Sequence, residues 1–376
     1  MVVTAAAGWS FALLNGVRDL PNSTVYLMIA TTLLALGLFS STYDISASDV
    51  AGKVDLVLTA VTVGVVVKAA LIAAIMYLLY RRPEYFVLGV AVAQIDPLSV
   101  AVMRRSSRLS TQGRAILSAW SSFDDPVTAI LAVYLSTIAL SLGATHGTGQ
   151  DLLGDYSNAG LNVLFNALFA VAMFGVWLVL RALARRRTNA FDTANPSAWP
   201  PWLLALATVV LLIAGAVAVN AFLMLGVAIA GLFFRPGIHA VLRFVSPIAL
   251  VVAVFMLGML LTGGIQVVPG LALGLCAFGA QVAVGLILTW SMPAADRIRL
   301  ALSQQNGITA IILALLLETV FPDTVAVVAP AILVIALLHL ISNAIVDRVE
   351  DSARKATQNS VPDIDGQRLE FRPEGP

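Results

Sequence analysis

Apolar runs, most of them long enough to cross a bilayer, alternate along the chain with short polar stretches. A membrane helix needs about 20 mostly apolar residues. By that measure candidate spans cover residues 24–40, 57–80, 85–103, 115–140, 158–180, 202–219, 221–234, 244–263, 267–290, 300–317 and 325–345, eleven in all. Residues 2–17 form a twelfth candidate, weakened by Asn15 and the following Arg18. The run 221–234 is short for a crossing and follows its predecessor after a turn at Asn220. The pattern predicts an all-α membrane protein of 11–12 transmembrane helices. Its membrane domain covers residues 1–349, and a polar tail of disordered composition covers 350–376.

Composition agrees. Of 376 residues, 59% are hydrophobic and 11% charged, with a mean hydropathy of +0.92. Soluble domains carry about 25% charged residues. A net charge of +1 gives no reason to expect a nucleic-acid partner. The single cysteine, Cys276, lies in an apolar run and has no intrachain disulfide partner. Residues 1–15 lack a basic segment before their apolar stretch, so a cleaved signal peptide is not expected.

Orientation follows from the basic loops. Residues 104–114 and 181–187 carry four arginines each, and 235–243 and 297–299 are also basic. These loops lie an even number of spans apart and so share one side. The loops 141–157, 264–266 and 318–324 contain no Lys or Arg and fall opposite. This places the C-terminus in the cytoplasm and the protein in the cell (plasma or inner) membrane. Arg81 and Arg82 are a misfit to the rule.

Four ionisable residues interrupt the apolar spans: Lys68, Asp96, Asp124 and Asp125. A charge at the bilayer centre costs at least about 2.5–3.5 kcal/mol, so such residues face a cavity or a partner and often mark an ion path. A lone carboxylate also serves simply to lock helices together. That reading weakens for Asp124 and Asp125, because adjacent anions repel and raise each other's proton affinity. Asp96 lies in AVAQIDPLSVAV, where Pro97 removes a backbone donor in mid-span. Broken backbone at membrane depth is tolerated where it lines an enclosed cavity, and there freed carbonyls coordinate cations. Asp124 and Asp125 lie in AWSSFDDPVTAIL. A further polar stretch, SQQNGIT, places five side-chain hydrogen-bonding residues, Ser303, Gln304, Gln305, Asn306 and Thr309, and a glycine in a late span. It reads either as a second break or as a helix-packing face with a glycine contact.

These features repeat. The three spans over 57–140 hold a break in their middle member, and so do the last three, 267–345. Four spans separate the units, so corresponding helices run in opposite senses. That is the inverted-repeat plan of many secondary transporters, with the site between two broken crossing helices near the midplane.

On these residues the chain resembles the monovalent cation/proton antiporter superfamily, the Na⁺/H⁺ exchanger domain. IDPLSV looks like the A-T-D-P-V-A-V segment of that family. FDDPVTAIL, whose first Asp follows Asp96 by 28 residues, looks like its N-D or D-D segment. SQQNGITAIILAL resembles the glycine-containing stretch of its second crossing helix, and FLMLGVAIAGLFF and VAVFMLGMLL resemble its later spans. The resemblance runs from about Thr24 to Asp347. It implies that Asp125 alternately binds cation and proton, that Asp124 is its partner, and that Asp96 helps build the crossing. Asp125 and Asp96 would then be oxygen ligands of a monovalent cation. It also implies a homodimer and a static panel formed by spans 24–40 and 202–234, against which the core repeats move.

Three positions depart from the family pattern. Trp120 stands where members with a single catalytic aspartate often have Glu. Gln281 stands where many carry a Lys or Arg, and Asn306 where some have Arg. The basic partner of the aspartates is missing from its usual place. Lys68, in the span related to 267–290 by the repeat, is a candidate replacement, pairing with Asp124 or Asp96 and competing with the incoming ion. Alternatively it snorkels to an interface. His339, in the last span, is either a pH-sensitive element or a packing hydrogen bonder.

The expected activity is exchange of Na⁺ or K⁺ for H⁺ by alternating access at the midplane aspartates, with the lipid bilayer as surroundings. A Na⁺-coupled solute symporter of the same fold and a non-transporting membrane sensor are the alternatives. The sequence has no nucleotide-binding fingerprint, metal-ligand cluster or hydrolytic triad, so neither an enzyme nor a cofactor is expected.

Overall fold

In a lipid-facing helix the backbone must satisfy its own hydrogen bonds, so apolar runs of this length fold as helices. A computed structural model describes residues 1–17, 19–43, 59–95, 109–141, 143, 159–187, 199–235, 237–303 and 307–360, and these described residues form thirteen α-helices. Among the described residues, seven helical stretches are long and apolar enough to span a membrane: Thr24–Tyr43, Thr62–Tyr80, Leu161–Ala184, Pro201–Asn220, Ala240–Gly263, Val267–Leu288 and Thr324–Ser352. Outward positions such as Leu161, Phe165 and Val171, or Leu212 and Ile213, are exposed and apolar, as a lipid-facing surface requires.

The N-terminal helix α1 (Val2–Asn15) packs on α9 (His239–Leu260). Helix α2 (Thr24–Tyr43) lies at the centre, against α8 (Met224–Phe233), α12 (Ile308–Val320) and α7 (Pro201–Asn220). Its Tyr26 hydroxyl donates to the Leu315 carbonyl of α12 at 2.6 Å. Helix α6 (Ala159–Arg187) packs on α8, and Asn166 Oδ1 accepts from the Gly226 N–H at 2.8 Å. The α8 segment is shorter than the 221–234 span expected from hydropathy, because Ala221 and Phe222 are in a turn, Phe222 with φ 52°.

Two three-helix units build the rest. The first comprises α3 (Val65–Tyr80, entered through a π-helical turn, Ala60–Gly64), α4 (Glu84–Ala91) and α5 (Thr111–Ser141). Gly89 lets α4 approach α3 so closely that a Cβ there would strike the backbone of Ala73. The expected span 85–103 is not one helix: α4 ends at Ala91 and residues 92–95 are unwound. Helix α5 runs through Pro126 without interruption.

The second unit comprises α10 (Val267–Leu288), α11 (Ala294–Ala301) with α12, and α13 (Thr324–Ser360). The late span is interrupted: α11 stops at Ala301, Ser303 and Gly307 are not helical, and α12 starts at Ile308. The expected span 300–317 is therefore divided between two helices. Helices α3 and α10, the first members of the two units, pack on each other.

Several polar regions differ from expectation. The arginine-rich stretch 181–187, expected as a loop, is the end of α6. Residues 297–299 are not a loop but belong to α11, where Asp296 and Arg299 are buried. Asp296 accepts from the Ser110 amide at 2.9 Å and from its hydroxyl. Arg299 pairs at 2.8 Å with both Asp347 and Glu350 of α13. Helix α13 continues into the expected tail and is helical to Ser360, with its Glu350 held by Arg299.

Candidate ion-exchange site

The site lies where α5 crosses the two interrupted helices. Successive residues of a helix point about 100° apart, so Asp124 and Asp125 face different neighbours. Asp124 is fully buried and faces the first break: its Oδ2 accepts from the Ile95 backbone N–H at 2.8 Å. Ile95 has this N–H to offer because residues 92–95 have left the helix. Asp125 faces the second break, where its Oδ2 accepts from the Thr309 hydroxyl, in the first turn of α12, at 2.9 Å.

Lys68 reaches the same place from α3. Its Nζ lies 2.9 Å from Asp124 Oδ2, and both side chains are fully buried. Its second acceptor is Gln281 Oε1 of α10, at 3.1 Å. The ammonium also stands 5.9 Å from the centre of the Trp120 ring, which precedes Asp124 by one helical turn on α5 and so shares its face. Gln281 Nε2 in turn donates to Ser303 Oγ, at the edge of the second break, at 3.0 Å. A continuous buried chain thus runs from the first break through Ile95, Asp124, Lys68 and Gln281 to Ser303.

The chemistry of this chain is unequal. Asp124 Oδ2 is saturated by an ammonium and an amide. Its Oδ1 is buried and has no hydrogen-bond partner among the described residues. A buried carboxylate oxygen without a donor is costly, and it is the natural ligand for a hard cation.

Of the residues singled out from sequence, Lys68, Asp124, Gln281 and Ser303 meet directly, and Asp125 sits beside them on α5. Asp96, Gln304, Gln305 and Asn306 lie outside the described residues. His339 is buried edge-on against Phe278, with ring centres 4.9 Å apart. One turn further along α13, Asn343 donates to the Leu302 carbonyl at 3.2 Å.

Thr309, the last residue of the polar stretch SQQNGIT, donates to Asp125. Two participants were not singled out from sequence, Gln94 and Thr128. The Thr128 hydroxyl lies 2.8 Å from the Asp124 carbonyl and 3.1 Å from Gln94 Oε1, and so links α5 to the unwound segment. Their signal was present: Gln94 is two residues before Asp96, and Thr128 one turn after Asp124, in otherwise apolar spans.

No protein-family model matches the chain, and no curated protein matches it in sequence. Among solved structures it is similar to the sodium proton antiporter MjNhaP1 from Methanocaldococcus jannaschii, with a TM-score of 0.62 and 15% identity. The match covers 91% of this chain and 92% of that one. At that identity the likeness is one of architecture. The chain has the sodium/proton antiporter fold.

Proposed function

We propose that this chain is a secondary active transporter that exchanges a monovalent cation, Na⁺ or K⁺, for H⁺ by alternating access at Asp124 and Asp125, with Asp96 contributing to the same crossing. One observation carries the reading. A buried ion pair, Lys68 with Asp124, stands beside unwound backbone and leaves one carboxylate oxygen without a donor among the described residues. A pair kept only for packing leaves no such acceptor, because an unsatisfied buried oxygen costs about 1–3 kcal/mol.

The exchange follows from competition. Lys68 neutralises Asp124, while Asp125 is held ready by Thr309. On the side of low proton activity Asp125 is ionised. A dehydrated cation enters against Asp125 and the open Oδ1 of Asp124, and competes with the Lys68 ammonium on Oδ2 for the charge of the Asp124 carboxylate. On the other side a proton takes Asp125 and the cation leaves. Two adjacent carboxylates with neither ion present repel across low dielectric. Only the neutralised site moves, since carrying a bare charge through the membrane interior is costly.

In this reading the units over 57–140 and 267–345 form the moving core. Helices α2, α7 and α8 belong to a static panel that also forms a homodimer. The protein sits in the cell membrane, with its C-terminus in the cytoplasm on the side of the arginine-rich loops. It is a carrier and not an enzyme.

The test is dequenching of a pH-sensitive dye in everted vesicles on addition of Na⁺, K⁺ or Li⁺. A cation-dependent proton flux is expected from the wild type and none from Asp125→Asn. Absence of flux from a well-folded wild type, from mildly acidic to alkaline pH, overturns the reading.

A further inference from the structure

Gln281 occupies a peculiar place in the buried chain. Lysine offers donors only, so the amide must turn its oxygen toward Lys68. That leaves the amide nitrogen for Ser303, whose hydroxyl accepts at 3.0 Å. Lys68, Gln281 and Ser303 are all fully buried. Among the described residues, the ammonium has two hydrogen-bond acceptors, the Asp124 carboxylate at 2.9 Å and the Gln281 amide at 3.1 Å.

We infer that Gln281 is a positioning residue that receives the Lys68 ammonium when a cation takes Asp124, and that Ser303 holds its amide in the orientation this needs. The inference rests on the antiport reading and deepens it. An ammonium expelled from its carboxylate into a dry site with no other acceptor would make cation entry prohibitively uphill. The Gln281 oxygen is already within hydrogen-bond distance, so Lys68 exchanges partners without first becoming bare. The strength of this second acceptor then sets how readily Lys68 yields Asp124, and with it the apparent affinity for the transported cation. Because Ser303 stands at the end of α11, the same bond ties the position of Lys68 to the second break. If Ser303 no longer accepts, the amide is free to flip and present its nitrogen to the ammonium, which it repels.

The inference makes signed predictions for cation-driven flux in vesicles at fixed pH. Gln281→Glu strengthens the second acceptor and lowers the KM for the cation, by about tenfold for a hydrogen bond to a charged group. Gln281→Leu removes the acceptor and raises KM by a similar factor. Ser303→Ala changes no charge, yet it shifts KM in the same direction as Gln281→Leu. That separates amide orientation from a general effect of added negative charge. A second readout, the cation-induced rise in melting temperature of the purified protein, reports binding without transport, and should grow in Gln281→Glu and shrink in the other two. If wild-type flux is intact but the variants leave KM and the thermal shift unchanged, or move them all in one direction, Gln281 is packing and the inference falls while antiport stands. A folded wild type with neither flux nor a cation-induced thermal shift overturns both.

Discussion

Thr309 donates a hydrogen bond to Asp125 across 2.9 Å, joining the unbroken helix of the first unit to the first turn after the break in the second. Its neighbour Asp124 is tied instead to the first break, through the Ile95 amide at 2.8 Å. Two successive carboxylates on α5 therefore sense two different interrupted helices. Displacing the first break disturbs the amide donor of Asp124, and displacing the second disturbs the Thr309 donor of Asp125 and, through Ser303 and Gln281, the Lys68 that pairs with Asp124. This geometry gives an exchanger a means of coupling ion occupancy to the position of each crossing.

The Thr309 bond is testable with a nearly isosteric change. Thr309→Val removes the hydroxyl and leaves the Asp125 carboxylate without that donor. A hydrogen bond to a charged group contributes about 1.5–3 kcal/mol, so the KM for the transported cation should rise by about tenfold or more. Thr309→Ser, which keeps the hydroxyl, should lose much less. Cation titrations of dye dequenching in vesicles measure both.

The Lys68–Asp124 pair should behave as a buried ion pair behaves. Removing one partner strands the other in low dielectric, at a cost of about 3–5 kcal/mol. Lys68→Met and Asp124→Leu should each destabilise the detergent-solubilised protein strongly. The double variant should recover most of the loss, because apolar replacement of both partners is close to neutral. Thermal unfolding of the four proteins closes the double-mutant cycle. The double variant should still carry no cation flux, since Asp124 is gone.

The helices were largely legible because a bilayer imposes a single length rule: α2, α7 and α10 start within a residue of the apolar runs that announce them. The second break was legible too, since SQQNGIT sits among apolar residues and its glycine adds no side chain. Local pattern gave no access to pairing at long range. Residues 297–299 read as a solvated loop because arginine is mostly exposed. Their burial depends on Asp347 and Glu350, some fifty positions later. The tail from Glu350 looked too polar to order, yet Arg299 anchors its first turn. Within the site, the residue types were visible while the partners were not. Lys68 admitted two readings from sequence, and its contact with Asp124 depends on how α3 is rotated against α5 and α10. Thr128 looks like an ordinary helix threonine until α5 is placed beside the first break, where its hydroxyl meets Gln94.

The role of the α13 extension separates two kinds of charge. Arg299 has 5% of its side chain exposed and would be left uncompensated in a chain ending after Val346, whereas a chain ending after Ser352 keeps both acidic partners. The shorter chain should be less stable than the longer by about 3 kcal/mol or more. The single change Asp347→Asn should cost no more than about 1 kcal/mol, because that carboxylate is 54% exposed and screened by water. Melting curves of the three proteins at moderate salt distinguish a buried anchor from a surface pair.

The contact between α1 and α9 is made by two glycines that face each other's backbone. A Cβ at Gly8 would strike the Phe255 carbonyl, and one at Gly258 would strike the Ala5 carbonyl. Neither obstacle is a side chain that can turn away, so the helices must separate. Overpacking of this kind costs about 1–3 kcal/mol. Gly258→Val should therefore lower the melting temperature and expose α1 to added protease. The chief neighbour of α1 is α9, whereas Lys68, Asp124 and Gln281 lie on α3, α5 and α10. The KM for the cation should stay at its wild-type value in the variant that remains folded. A change in KM at Gly258→Val would mean that α1 is coupled to the exchange site through α9 and α12, which pack on each other.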